Sequence, residues 1–524
     1  MTYDSFVRDQ LPPADQRPQF LLLDYPERLN AAAELLKGGK PNDLAVINAH
    51  GHWTYAELDD FSGRIARLLV EERGLIPGNR VLLRGPNGYT MFAAWLGILK
   101  AGGVAVTTMP LLRPGEIATV IDAAEVSHAI VDSRFIGDFR GAMSQTRYVK
   151  HLVKYDGDYG KGELETRCAS LKPLDPVDTG RDDPALIAFT SGTTGFPKGC
   201  IQFHRDILAP CDTFAKTHFR MARGDIVMTS APIAFTFGLG ATLLFPLRFG
   251  AATATIEQPS PPTMLEAIAK FGVTHLATAP TAYKAMLSQP ALDEALKSLK
   301  CCLSAGEHLP EAVWHAWKMR TGISIVDGIG STEMMHIFIS ESGGAIRPGS
   351  TGRAVPGYEA TVLDADGNSL AKGEGRLAVK GPTGCRYLDD PRQANYVDNG
   401  WNITGDTYRK DEDGYYWYVA RSDDMIVSSG YNIGAPEVEN ALLGHPAVAE
   451  CAVIGVPCPE RGQKVKAFVV AAANVTPNDA LISELKNFVK ATIAPYKYPR
   501  EIEFVEALPK TATGKLRRVE LRNR

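Results

Sequence analysis

Apolar residues along the first part of the chain recur in two alternating modes. Between Tyr55 and Arg73, Leu58, Phe61, Ile65, Leu68 and Leu69 fall on one face at helical spacing, and Arg80 to Arg84 then makes a short apolar run of strand length. The alternation continues. Met91 to Gly102 predicts a buried helix, Gly103 to Thr108 a strand, Ala129 to Asp132 another and Ala185 to Phe189 a further one, the order expected of parallel β-α-β units. From Arg421 the pattern changes. Arg421-Ser422-Asp423-Asp424 forms a charged link, followed by a predicted helix (Pro436 to Leu443), two strands (Glu450 to Val456, Lys466 to Ala472), a helix (Asn478 to Ile493) and a strand (Glu501 to Val505). The expected fold class is therefore α/β. Residues 1–420 form a large N-terminal domain of βαβ-type sheets packed with helices, 421–424 a hinge, and 425–524 a small mobile C-terminal α+β domain.

Composition narrows the possible partners. With 524 residues, 45% hydrophobic and 22% charged, the chain can bury more than one core. A formal net charge of -4 argues against a general polyanion-binding surface, so no nucleic-acid partner is expected. The first residues show no basic segment leading into an apolar one, and the two most apolar stretches, Met91 to Leu112 and Gly238 to Ile256, are interrupted by Lys100 and Arg248. Neither a secretory signal nor a membrane partner is expected. Eight cysteines without a C-x-x-C pair suit reduced thiols in a cytoplasmic protein, a monomer or homodimer.

The strand-like run ending at Phe189 leads into Thr190-Ser191-Gly192-Thr193-Thr194-Gly195-Phe196-Pro197-Lys198-Gly199. Glycines allow close approach of backbone to an anion, hydroxyls and amides donate to phosphate oxygens, and Lys198 adds a mobile positive charge. The spacing is not that of a Walker loop, because Lys198 is preceded by Pro197 and followed by Gly199. An ordinary surface turn contains the same small polar residues. The full string TSGTTGFPKG, however, resembles the signature of the adenylate-forming superfamily, which includes acyl-CoA ligases, peptide-synthetase adenylation domains and luciferases.

Further segments similar to that superfamily follow in its order. The resemblance implies a reaction with ATP and Mg²⁺, and with coenzyme A as co-substrate. It places Thr190, Ser191, Gly192, Thr193, Thr194 and Lys198 at the phosphates, and Gly306, Glu307, Asp327 and Gly328 in segments that sandwich adenine and meet ATP. Asp406 and Arg421 would hold the ribose, Thr332 would contact phosphate, and Glu333 would be the magnesium-side carboxylate. A carboxylate is a suitable hard oxygen ligand for Mg²⁺ held mainly by triphosphate and water. Lys515, in the terminal PKTATGK motif, is the catalytic candidate for the first step. Asp423 falls at the hinge, and Gly430 with Tyr431 in the stretch that passes a pantetheine arm.

The stretches APIAFTFGLG (231–240) and MMHIF (334–338) resemble benzoate and 2-aminobenzoate (anthranilate) CoA ligases. Phe235, Phe237 and Gly238 would line a flat aromatic pocket, with His336 near the carboxylate or ortho substituent. Taken alone, the same residues fit core aromatics and a satisfied histidine. The expected activity is that of an aryl-CoA ligase, adenylating 2-aminobenzoate or a related ortho-substituted benzoate. The alternatives are a stand-alone enzyme that loads a carrier protein and, with the basic tail from Lys510 to Arg524 in view, a non-catalytic nucleotide- or RNA-binding protein. One competing motif, G-x-G-x-x-A at Gly373 to Ala378, is expected to be a turn leading into a strand, because it opens no helix.

Overall fold

The structure, a computed structural model, describes residues 3–158, 160–190, 197–421, 425–428, 431–458, 462–493, 495–510 and 516–523. Five parallel strands, His151–Tyr155, His128–Asp132, Arg80–Arg84, Val104–Thr108 and Pro184–Thr190, lie side by side in that order. Lys198–Phe203 closes the edge antiparallel. The central strands are buried along their length, as uninterrupted apolar runs require in a sheet covered on both faces.

Helix Tyr55–Arg67 starts at a capping box in which Thr54 and Glu57 satisfy each other's backbone amides, and its winding loosens into a π-helical turn over Leu68–Glu72. The single amphipathic face expected there survives the change, with Leu58, Ile65, Leu68 and Leu69 buried. Helix Tyr89–Lys100 is buried at every position. Its one charge, Lys100, is compensated by the Asp59 carboxylate at 2.5 Å and the Asp59 carbonyl at 2.7 Å.

In a second sheet Cys301–Ser304 is flanked by parallel strands His275–Thr278 and Ile325–Gly330. Antiparallel Ile337–Ser340 follows Ile325–Gly330 as a hairpin. Both sheets feed one core, which joins Phe92 and Ala188 to Ala277, Leu303 and Ile337.

The β-α-β expectation stops short of a third sheet. Glu359–Leu363, Gly373–Lys380, Trp401–Lys410 and Tyr416–Arg421 pair antiparallel, joined in part by connections too short to carry a crossover helix. Gly373 to Ala378 lies wholly within one of these strands, so the G-x-G-x-x-A sequence is strand from its first residue rather than a turn before one.

Beyond residue 425, strands Val448–Cys458 and Gly462–Ala471 pair antiparallel, and Glu501–Phe504 adds parallel to the latter. Helices Ala435–Leu443 and Asp479–Thr492 cover them, the second capped by Asn478. Their core, with Ile426, Val438, Leu442, Val453, Val469 and Leu485, draws only on this part of the chain. It meets the larger part where Asn440 Nδ2 lies 3.1 Å from His308 Nε2 and where Lys284 donates to the Ala449 carbonyl. The expected hinge residue Asp423 lies outside the described residues. All eight cysteines are free, and no described helix is long and apolar enough to cross a membrane.

Candidate active site

The phosphate-side strand and its antiparallel neighbour place Thr190 directly opposite Lys198. The Thr190 hydroxyl oxygen is enclosed and has no partner among the described residues, an arrangement that suits an incoming phosphate oxygen. Ser191, Gly192, Thr193 and Thr194 lie outside the described residues.

Lys198 Nζ donates to Tyr387 Oη at 2.7 Å, and Tyr387 Oη donates in turn to Glu333 Oε1 at 2.5 Å. The ammonium also stands 3.7 Å from that carboxylate oxygen and 4.6 Å from the centre of the Tyr387 ring. Glu333 is buried at the tip of the 325–340 hairpin, beside Thr332. Met335 completes that tip in the left-handed region at φ 65°, where an L side chain is strained. The tip is tied back by Gln202 Nε2, which donates to the Thr332 carbonyl at 3.0 Å and the Glu333 carbonyl at 3.3 Å.

On the other side of the hairpin, Asp327 pairs in register with Ser304, just before Gly306 and Glu307. One carboxyl oxygen of Asp327 is enclosed without a partner, and desolvation pushes the group up to about 8. The neighbouring Gly328 leaves no room for a side chain, since a Cβ there would meet Ile337 at 2.8 Å. Asp406 and Arg421 face each other across paired strands with Nη1 3.5 Å from Oδ1, the acid nearly buried and the arginine exposed. Tyr418 on the same strand stacks on His308 at 5.4 Å between ring centres. The buried Tyr408 phenol is raised by desolvation, with Asp406 and Asp327 both adding to the effect, so the two acids flank one region.

Phe237 and His336 also come together, with ring centres 5.7 Å apart. His336 is enclosed by Phe214, Phe237 and Phe245, and its Nε2 lies 3.4 Å from the Phe237 carbonyl. Burial holds the imidazole neutral by pushing its pKa down to about 3, and Nδ1 has no partner. Gly238 is obligatory, because a Cβ there would fall 2.2 Å from the Pro232 carbonyl oxygen. Phe235 sits half-buried at the start of the helix Thr236–Leu239. A small apolar pocket between this helix and the phosphate-side strand is lined by Leu186, Ala188, Ile233, Thr236 and Leu239.

The structure thus gathers Thr190, Lys198 and Glu333 with Thr332 on one side of the hairpin, and Phe237 with His336 close by. Lys515 and Gly430 lie outside the described residues, and only the backbone of Tyr431, in strand Tyr431–Ile433, is described. Tyr387 and Gln202 were not singled out from the sequence. No periodicity or spacing marks either one, since each reaches the site only through strand pairing.

The class to which this α/β chain belongs follows from its relatives. Residues 36–386 match the AMP-binding enzyme family and residues 437–515 its C-terminal domain. The chain belongs to this family. Benzoate–CoA ligase of Thauera aromatica is 36% identical over 512 residues, which span 96% of this chain and 97% of that protein. Among solved structures, the anthranilate CoA ligase AuaEII in complex with anthranoyl-AMP superposes with a TM-score of 0.90 at 33% identity, covering 95% of this chain and 98% of that one. A benzoate CoA ligase from Burkholderia xenovorans LB400 gives 0.86 at 34% identity, covering 94% and 100%.

Proposed function

We propose that this protein is an AMP-forming aryl-CoA ligase that adenylates 2-aminobenzoate, or a related ortho-substituted benzoate, and transfers the aryl group to coenzyme A. The carrying observation is the Lys198, Tyr387 and Glu333 cluster, with His336, on the same hairpin as the acid, packed against Phe237. The similarity to benzoate and anthranilate ligases supports the choice of acid.

In the first step the aryl carboxylate attacks the α-phosphorus of ATP and the bond to pyrophosphate breaks. In the second the CoA thiolate attacks the acyl carbon and AMP leaves. Thr190 to Thr194 and Lys198 hold the departing pyrophosphate, while Gly306, Glu307, Asp327 and Gly328 line the adenine. Asp406 accepts the ribose hydroxyls with Arg421 beside it. Lys515 serves adenylation and the Gly430–Tyr431 segment serves thioester formation, exchanged by rotation of the C-terminal domain about Asp423. A magnesium ion would be held by the Glu333 carboxylate together with the triphosphate it accompanies, with Thr332 contacting phosphate. When bound, magnesium supplies neutralising charge at the leaving pyrophosphate. Exchange of labelled pyrophosphate into ATP tests the first step, and it should require an aromatic acid. Exchange supported equally by straight-chain acids would remove the aryl assignment.

His336 carries the preference for an ortho substituent. Its bond to the Phe237 carbonyl assigns the ring proton to Nε2, which leaves Nδ1 as a buried acceptor. An ortho amino or hydroxyl group donates to it, whereas plain benzoate leaves it unpaired. For His336→Ala the ratio of kcat/KM for 2-aminobenzoate to that for benzoate should fall about tenfold, the worth of one hydrogen bond in a dry site. An unchanged ratio would sink this role.

Asp327 gives the nucleotide site a pH dependence. Its carboxyl, pushed up to about 8, is protonated at neutral pH and becomes anionic as pH rises through that value. ATP is itself anionic, so its dissociation constant should rise over the same interval. In Asp327→Asn, which stays neutral, calorimetric titration should find this alkaline weakening absent; weakening that persists unchanged would show that another group is responsible.

A further inference from the structure

The hydrogen bonds from Lys198 through Tyr387 to Glu333 can run in only one direction. An ammonium only donates, a carboxylate only accepts, and a hydroxyl does both. The hydroxyl is also anchored from several sides. Ile201 N donates to the Arg386 carbonyl and Leu388 N to the Gly199 carbonyl, both at 2.8 Å, fastening this segment along the strand that carries Lys198. Gln393 Oε1 accepts from Tyr387 N at 2.9 Å, and the Tyr396 ring packs edge-on at 5.8 Å. Gln202 holds the backbone of the acid independently.

We propose that Tyr387 is a positioning residue for the metal-side carboxylate. Its hydroxyl holds Glu333 through Oε1, which would leave Oε2 for the magnesium ion of bound ATP, and it occupies Lys198 so that the lysine does not close further onto the carboxylate. Lys198 and Glu333 already stand 3.7 Å apart. Without the hydroxyl between them this ion pair would close to hydrogen-bonding distance, withdrawing from the nucleotide the cation and the anion it needs.

This inference rests on the ATP-dependent reading above. Its test is the ratio of ATP dissociation constants without and with Mg²⁺, measured by calorimetry on the full chain. In Tyr387→Phe the strengthening of ATP binding by magnesium should shrink about tenfold, as expected for loss of a hydrogen bond to a charged group. It should be abolished in Glu333→Gln, and the double variant should be no worse than Glu333→Gln alone, because the tyrosine acts through the acid. Gln393→Ala, which frees the Tyr387 backbone but leaves its hydroxyl, should reduce the ratio by a smaller factor, about threefold. The thermal midpoint and thioester formation from supplied aryl-AMP should stay near wild type in Tyr387→Phe, a selectivity that a general packing role would not produce. An unchanged ratio in both Tyr387→Phe and Gln393→Ala, or a further loss in the double variant, overturns the role. If the wild type binds magnesium–ATP but forms no adenylate with any aromatic acid, the proposed function fails, while the binding ratio still decides the role of Tyr387.

Discussion

Lys515→Ala is expected to slow aryl-adenylate formation about 100- to 1000-fold, while thioester formation from supplied aryl-AMP stays within about threefold of wild type. The step brings an anionic carboxylate onto an anionic phosphate, and negative charge builds up on the oxygens between them. A cation at that point is worth more in the transition state than in the ground state, which is the condition for raising a rate rather than only an affinity. Lys198 is poorly placed for this task, because its ammonium is engaged by Tyr387 and Glu333. Lys515 itself lies outside the described residues. Its described flanks, Lys510 and Leu516, pair as an antiparallel bridge, and Lys510 Nζ reaches Glu450 Oε2 at 2.7 Å, so Lys510 is already occupied by an acid of its own domain. Pyrophosphate release in the first turnover measures the effect. Normal release by the variant would remove Lys515 from the chemistry.

Glu333→Gln is expected to lower kcat/KM for magnesium–ATP in adenylation about 100-fold, with the second half-reaction little affected. The amide keeps the shape of the side chain and can still accept from Tyr387, so the backbone bonds from Gln202 and the hairpin at Met335 should persist. What disappears is the negative charge, to which the proposed function gives the recruitment of the cation. The thermal midpoint should therefore move by only a few degrees. Full activity at ordinary magnesium concentrations would show that the carboxylate is a buried structural acid rather than part of the nucleotide site.

The parallel strands of the first sheet were legible because they are uninterrupted apolar runs separated by helical periodicity, as at Arg80–Arg84 and Val104–Thr108. The antiparallel sheet after Glu359 was not, because its strands mix charged and apolar positions and follow one another through turns that periodicity does not resolve. In the candidate site, residues carried by local strings such as Thr190, Lys198 and Glu333 could be named in advance. Tyr387 ends a string, GPTGCRY (381–387), that resembles the benzoate and 2-aminobenzoate CoA ligases, but its role was not legible, since its link to Lys198 arises only when Arg386–Leu388 runs beside Gly199–Ile201. The protonation states were equally hidden. An aspartate and a histidine in sequence give no measure of their desolvation, yet burial makes Asp327 a neutral acid near pH 7 and His336 a permanent acceptor.

The most direct measurement is AMP formation by the intact protein with ATP, magnesium and a panel of ring-substituted benzoates, with either free coenzyme A or a pantetheinylated carrier protein as acceptor. AMP should appear in step with aryl-CoA when free coenzyme A is present, fastest with 2-aminobenzoate or another ortho-substituted acid. AMP formed only with the carrier protein, or not at all with any aromatic acid, would contradict an aryl-CoA ligase.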